Sequence, residues 1–526
     1  MRTTLPALLL SALCLAQDIS QARLRADLTF LASDALEGRL SLARGSEVAI
    51  QFIAAEFAKA GLRPVIGDSY LQPVPLIEFR AESRESRLLL HRGGRTQNYE
   101  SGSGVFGSFP NDVTLRATVV FAGFGITAPE YGYDDYAGLD VRGKAVLVLD
   151  HEPQERDPKS VFNGVGNTRH ANQRGKVLNA QRHGAVAVLV MAEPNRKHPS
   201  NQERLARIQP AAQRARLPQQ ALVDGEVTIP SLSVSDALAA ELLAVSGKKP
   251  AELQASIDAN MKPASLSLPD TAIELRLANS ERRRAVTYNV AGLLEGSDPV
   301  LKHETVIYSG HYDHDGVRDG RVYPGADDNA SGTVGVIELA RAYAAAGSRP
   351  RRSILFMVFA AEERGLLGSY YYAAQPLRPL NTTRAMINFD MIGRNEAAST
   401  QTEGLMKIDP DTSNELNFTG SVYSPEYRMA IERNNAKVGL KLNYKWEKDA
   451  ALNLFQRSDQ FPFLLRDVPA VWWFTGFHPD YHQPTDSVEK INFVKMEKIL
   501  RLAYLTGWEF ASANKSPAFL RDPRGE

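Results

Sequence analysis

The chain has 526 residues, of which 43% are hydrophobic and 23% are charged, and its 61 basic side chains balance 61 acidic ones. This length exceeds what a single hydrophobic core supports, so we expect two to four domains. The zero net charge gives no indication of binding to nucleic acid or to an anionic membrane surface.

Residues 1–16 are typical of a secretory signal peptide. Arg2 supplies a positive charge, and the apolar stretch from Leu5 to Ala16 is too short to span a bilayer. A buried N-terminal helix is the alternative. Cleavage near Ala16 predicts a secreted or periplasmic protein without stable membrane insertion. It also removes Cys14, the single cysteine, so any metal ligands in the mature chain must be His and carboxylate side chains.

Residues 17–110 are predicted to begin a large domain. The pattern indicates two helices within residues 22–60, the second capped by Ser46, and strands at residues 70–79 and 87–91.

Residues 111–265 are predicted to form a separate, smaller, β-rich domain. Runs rich in β-branched residues at 119–121, 145–149 and 186–190 are separated by Gly, Pro and Asp. Residues 193–228 are polar and predict a long excursion.

Residues 266–526 return to the large domain with alternating strands and helices. Short unbroken apolar runs predict strands that are buried on both faces. The main predicted strands cover residues 287–293, 305–309, 353–359, 384–389 and 470–474. This alternation predicts an α/β fold with a mostly parallel sheet covered by helices.

Side chains that bind metal ions follow four of these predicted strands. They are His311 and Asp313, Glu362 and Glu363, Asp390, and His482. In open α/β sheets ligands collect at the carboxyl ends of the strands, so we expect these groups to converge. A four-coordinate site of His and carboxylate ligands suits zinc, with cobalt or manganese as substitutes.

Each of these segments also has a simpler interpretation when it is considered alone. The acids in residues 325–332 could cap the following helix, and Glu362 with Glu363 could be a solvated strand end. Asp390 could be a turn residue and His482 a surface residue. Their order and their positions at strand ends favour a common site.

In this order the motifs resemble the zinc-dependent exopeptidase family of the bacterial leucine aminopeptidase and aminopeptidase Y type. The matching segments are HYDH at 311–314, PGADDNASG at 324–332, AAEERGLLGS at 360–369, NFDMIGR at 388–394 and HPDYHQPTDS at 478–487. Residues 121–126 and 143–146 are similar to the protease-associated (PA) domain that many members carry. The resemblance implies a phosphorylase/hydrolase-like mixed sheet with an inserted smaller β-rich PA domain.

The same resemblance implies two zinc ions per chain. His311 and Asp390 would hold one ion, Glu363 and His482 would hold the other, and Asp327 would bridge both. In relatives the peptide bond that corresponds to 327–328 is cis.

The resemblance also implies roles for residues around the metal ions. Glu362 would be the general base, Asp313 would orient His311, and Tyr481 would hold the developing oxyanion. Gln460 stands where many relatives have His, and it cannot titrate.

We therefore expect a secreted zinc metallopeptidase, an aminopeptidase that removes N-terminal residues from peptides. A carboxypeptidase or a glutaminyl cyclase-like acyltransferase on the same fold is an alternative. A non-catalytic binding protein with a structural metal site is another. The sequence leaves open the side-chain preference, the role of the inserted domain and the oligomeric state.

Overall fold

The computed structural model describes residues 19–164, 166–196, 203, 217–449 and 451–523. The predicted signal peptide, including Cys14, lies outside these residues. Two large sheets, of nine and eight strands, organise the described chain into two domains. Among the described residues, no helix combines the length and the apolar character that crossing a membrane requires.

The nine-stranded sheet belongs to the larger domain, and its four central strands are parallel to one another. Its strands, in spatial order, are Gln219–Leu222, Leu71–Ala81, Asn279–Leu294, Ser353–Phe359, Thr305–His311, Thr383–Phe389, Ala470–Phe474, Glu415–Thr419 and Lys441–Asn443. Three of the four central strands are buried at every residue. The predicted mixed α/β sheet is confirmed, but only four of its eight strand pairings are parallel, so the sheet is not mostly parallel.

Helices cover both faces of this sheet, which explains the unbroken apolar strands. Along Ser353–Phe359, Ile354 and Phe356 enter one hydrophobic core, whereas Leu355 and Met357 enter another on the opposite face. The helices of this domain are Gln21–Leu31, Arg44–Lys59, Gly332–Ala344, Leu367–Ala374, Pro425–Asn435, Phe461–Leu464 and Phe493–Ser512.

The predicted cap of the second helix differs in the structure. The helix begins at Arg44 after Ala43, so Ser46 lies inside the first turn. Its hydroxyl donates a hydrogen bond to the backbone oxygen of Ala43 rather than to a helix N–H group.

The eight-stranded sheet forms the inserted domain. In spatial order its strands are Arg95–Glu100, Arg87–Arg92, Leu266–Leu277, Val113–Phe121, Ala145–Leu149, Ala187–Met191, Ser231–Val234 and Val105–Phe106. Helices Gln173–Arg182, Asp236–Leu243 and Pro250–Asn260 accompany it. The sheet reaches beyond both expected boundaries, 111 and 265, because an alternating pattern predicts a strand without indicating which sheet it joins.

One strand from the predicted polar excursion joins the other domain. Gln219–Leu222 pairs antiparallel with Leu71–Ala81 and forms an edge of the nine-stranded sheet. The inserted segment therefore contributes backbone hydrogen bonds to the larger domain.

Arg39 fastens the N-terminal segment to the loops beside the central strands. Its guanidinium is fully buried and donates to the backbone oxygens of Leu31, Tyr312, Pro324 and Gly325. Burial lowers the pKa of Arg39 to about 10, so the side chain remains charged at neutral pH.

We predict that Arg39→Met destabilises the protein by about 3 kcal/mol or more, because four buried carbonyls lose a charged donor. A thermal melt should show a midpoint lowered by about 3–5 °C. Arg39→Lys keeps the charge and up to three donors, so its midpoint should fall less. A Met variant that melts like the wild type would contradict this assignment.

Candidate metal centre

The carboxyl ends of the four central strands bring together the predicted metal-binding segments. His311 ends its strand, Asp390 directly follows Phe389, and Glu362 lies just beyond Phe359. His482 reaches the same edge from the loop after the strand Ala470–Phe474. The parallel strand directions therefore produce the expected convergence.

The ring of His311 faces a group of carboxylates. Its Nε2 lies 3.5 Å from an oxygen of Asp390, 3.5 Å from one of Asp328 and 3.8 Å from one of Glu362. Its Nδ1 donates to the backbone oxygen of Asp313 at 3.2 Å. Nε2 is buried without a hydrogen-bond partner among the described residues, and it faces these carboxylates.

The ring of His482 is arranged in the same way on the other side. Its Nε2 lies 3.1 Å from Asp328 Oδ2 and 3.4 Å from Glu363 Oε2. Its Nδ1 lies 2.9 Å from Asp315 Oδ2, which fixes the orientation of the ring. Asp328 thus directs one carboxylate oxygen towards each imidazole.

Asp328, and not Asp327, lies between the two imidazole rings. Asp327 Oδ1 accepts the N–H of Gly393 at 2.6 Å, and its Oδ2 lies 3.3 Å from His478 Nε2. Asp486 accepts the backbone N–H groups of both aspartates and so fixes the turn. Two adjacent side chains point in different directions here, and the cis peptide bond is Asp328–Asn329, one residue later than expected.

Asp313 contacts the glutamate pair more closely than it contacts His311. Its carboxylate accepts the N–H of Glu362 at 3.0 Å and that of Glu363 at 3.3 Å, whereas its nearest oxygen is 3.8 Å from His311 Nδ1. The backbone oxygen of Asp313, and not its carboxylate, orients the ring. Burial raises the pKa of Asp313 to about 6.

Three contributing side chains were not predicted from the sequence. Asp315 supports His482, and Ser458 donates to Asp390 Oδ2 at 2.6 Å. His314 Nδ1 lies 2.9 Å from Glu363 Oε1. The sequence offered a signal for His314 and Asp315, because residues 311–315 contain a second His and a second Asp.

A cavity of about 340 Å³ opens next to this cluster. Glu362 and Tyr481 line it, and the phenol oxygen of Tyr481 accepts a hydrogen bond from Arg457 at 3.2 Å. Apolar side chains that also line it are Leu366, Met391, Trp472 and Phe477. Gln460 is buried and donates to the backbone oxygen of Phe455.

The charges of the cluster favour a bound cation. Burial raises the pKa of Glu362 well above its usual range, and the pKa values of Asp328 and Glu363 are also raised. Burial alone would lower the pKa values of His311 and His482, but the neighbouring carboxylates outweigh it and raise them. Crowded buried carboxylates around two unbonded ring nitrogens form a donor set that fits zinc.

Comparison with known proteins agrees with this arrangement. Residues 289–506 match peptidase family M28, and residues 115–242 match the PA domain. Leucine aminopeptidase 2 of Arthroderma otae is 29% identical over 234 residues, which cover 40% of this chain and 42% of that protein. A probable zinc metalloprotease of Leptosphaeria maculans is 25% identical over 54% of this chain and 68% of its own.

A solved structure supports the fold over nearly the whole chain. The aminopeptidase from Aneurinibacillus sp. strain AM-1 superposes with a TM-score of 0.50 and 19% identity, covering 95% of this chain and 96% of that one. The fold and the matches confirm the resemblance seen in the motifs. Residues 289–506 are similar to peptidase family M28 and residues 115–242 to the PA domain, and the match spans less than half the length of the Arthroderma otae relative.

We predict that Asp328→Asn lowers the zinc content of the purified protein to half or less of the wild-type value, because it removes the charge between the two rings. Asp327→Asn is the matched control, since its amide oxygen can still accept the N–H of Gly393. Mass spectrometry of bound metal after dialysis measures both. Equal losses in the two variants, or a loss only in Asp327→Asn, would contradict the assignment.

Proposed function

We propose that the protein is a zinc aminopeptidase that removes N-terminal residues from peptides with two zinc ions per chain. The observation that carries this proposal is the position of Asp328 between two sets of imidazole and carboxylate ligands, beside a cavity lined by Glu362. The relatives named as aminopeptidases support the reaction type.

The ligands divide into two sets around Asp328. His311 and Asp390 would hold one zinc ion, and His482 and Glu363 would hold the other. Zinc ions held by these residues would lower the pKa of a bound water molecule and polarise the scissile carbonyl.

Glu362 is placed to transfer a proton. It reaches the cavity at the strand end, and its backbone N–H is fixed by the carboxylate of Asp313. A carboxylate in this position takes the proton of the attacking water and delivers it to the leaving amine.

Tyr481 is placed to donate a hydrogen bond to the substrate. Burial raises the pKa of its phenol, which therefore stays protonated at neutral pH. Because Arg457 donates to the phenol oxygen, the phenol proton is left for an oxyanion that develops in the cavity.

We predict that Glu362→Gln lowers kcat by about 10²–10⁴-fold, since the amide cannot accept the proton. Zinc content should stay at the wild-type value, because Glu362 is not one of the proposed ligands. Steady-state kinetics and metal analysis of the same preparation test both statements. An active variant would remove Glu362 from the mechanism.

Peptides blocked at either end distinguish the candidate reactions. We expect hydrolysis of peptides with a free N-terminus, including C-terminally amidated ones, and a rate at least about 100-fold lower on N-acetylated peptides. The reverse preference would indicate a carboxypeptidase. Release of ammonia from N-terminal Gln without hydrolysis would indicate a cyclase, and turnover of none of these would favour a binding protein.

We also propose that the protein is secreted or periplasmic. The support is the sequence of residues 1–16, with its charged start and short apolar stretch. Zinc ligation by His and carboxylate side chains suits an oxidising compartment, because these groups do not form disulfides.

A further inference from the structure

The PA domain contacts a wall of the cavity through one loop. The docking loop comprises residues 151–164 and 166–172 of the PA domain, and the wall segment comprises residues 445–449 and 451–457 of the peptidase domain. Two residues of the wall segment, Gln456 and Arg457, line the cavity beside the metal centre. A change in the position of this segment therefore changes the space that is available to a substrate.

Buried amide and imidazole groups join the two segments. Asn453 Nδ2 and His151 Nε2 lie 2.9 Å apart, at hydrogen-bond distance, and Asn453 Oδ1 accepts a hydrogen bond from Asn167. Asn172 donates to Gln456 Oε1 at 3.0 Å. Asn453 and Gln456 are thus both held by side chains of the PA domain.

His151 is rigidly supported from inside the PA domain. Its ring is 1% exposed, and its Nδ1 lies 2.8 Å from Glu155 and 2.9 Å from Glu193. The buried Lys176 donates to its backbone oxygen. These support contacts leave Nε2 directed at Asn453.

The group of His151, Glu155 and Glu193 also has the composition of a metal site. Its nitrogen–oxygen separations of 2.8 and 2.9 Å are shorter than those between the ring Nε2 atoms and the carboxylates at the proposed metal centre, which are 3.1–3.8 Å. The two glutamates therefore hold the ring of His151 by close ion pairs.

The wall segment has little regular structure of its own. It contains single 3-10 turns at Lys445–Lys448 and Leu454–Gln456, and Asn453 between them has a positive φ of 56°. The carboxylate of Asp449 accepts three backbone N–H groups within the segment. The contacts of Asn453 with His151 and Asn167 add to this internal support.

We propose that His151 is a positioning residue for the peptidase, through which the PA domain sets the shape of the substrate cavity. This inference rests on the proposed function. His151 acts on the substrate through Asn453 and the adjoining Gln456 and Arg457. Ser458, which supports Asp390, is held separately by Asn388 at 2.8 Å, so the metal centre does not depend on this contact.

Two substitutions of His151 separate its two contacts. Gln places its amide near the position of Nε2 and can still form a hydrogen bond with Asn453, whereas Asn places its amide near Nδ1 and cannot reach Asn453. We expect His151→Asn to raise KM for the best peptide substrate about 5- to 10-fold, the effect of one lost hydrogen bond. kcat should change less than about twofold, and His151→Gln should keep KM near the wild-type value.

Asn453→Ala tests the same contact from the peptidase domain and leaves the interior of the PA domain unchanged. It should raise KM by the same factor, and the double variant with His151→Asn should show no further increase. Glu226→Gln is the control, because Glu226 joins the PA domain to Arg466 of the peptidase domain away from the cavity. It should leave KM unchanged.

Hydrogen–deuterium exchange of residues 445–457 gives a readout that needs no activity. Exchange should be faster in His151→Asn and Asn453→Ala, and unchanged in His151→Gln and Glu226→Gln, all with wild-type zinc content. If no peptide is hydrolysed, the proposed function fails while this measurement still tests the contact. Unchanged KM and exchange in the first two variants, equal effects in Glu226→Gln, or loss of zinc would overturn the proposal.

Discussion

Negative charge buried at one edge of the central sheet is the constraint on which the rest of the molecule depends. Asp328, Glu362, Glu363 and Asp390 crowd around two imidazole rings and are largely buried. Carboxylates in that environment are costly unless cations or hydrogen bonds compensate them. The surrounding fold supplies hydrogen bonds to these carboxylates, and bound metal ions would compensate the negative charge that remains.

Hydrogen bonds between side chains and backbone groups provide most of the support for this cluster. Asp486 and Asp313 each accept two backbone N–H groups and so fix the turns that carry the ligands. Arg39 fixes the carbonyls of the adjoining loops. Four parallel strands buried on both faces give these turns a rigid base, and this arrangement explains how separate segments of the chain hold a single geometry.

The central strands were predictable because their sequences allow few alternatives. Ser353–Phe359 and Ala470–Phe474 have the predicted bounds, since a short apolar run between helices is stable only when it is buried on both faces. Glu415–Thr419, Lys441–Asn443 and Gln219–Leu222 were not predicted. These are short strands at the margins of the sheet, and their pairing depends on a partner that the local sequence does not reveal.

The candidate site was predictable to the level of segments but not of every side chain. His311, Glu363, Asp390 and His482 do converge, because residues that follow neighbouring parallel strands all lie at the same edge of the sheet. The choice between two adjacent aspartates depends on the direction of a turn, and that direction is set by Asp486, far along the chain. Supporting contacts between residues that are far apart in the chain produce no recognisable pattern in the local sequence.

The edge strand Gln219–Leu222 limits how the two domains can be separated. It comes from the inserted segment, yet it completes the sheet of the host domain. Excising the insertion at its sequence boundaries would uncover the backbone of Leu71–Ala81 along Leu76 to Phe79, leaving an exposed strand that invites intermolecular pairing. The PA domain is therefore part of the folding unit of the peptidase and cannot be treated as a removable module.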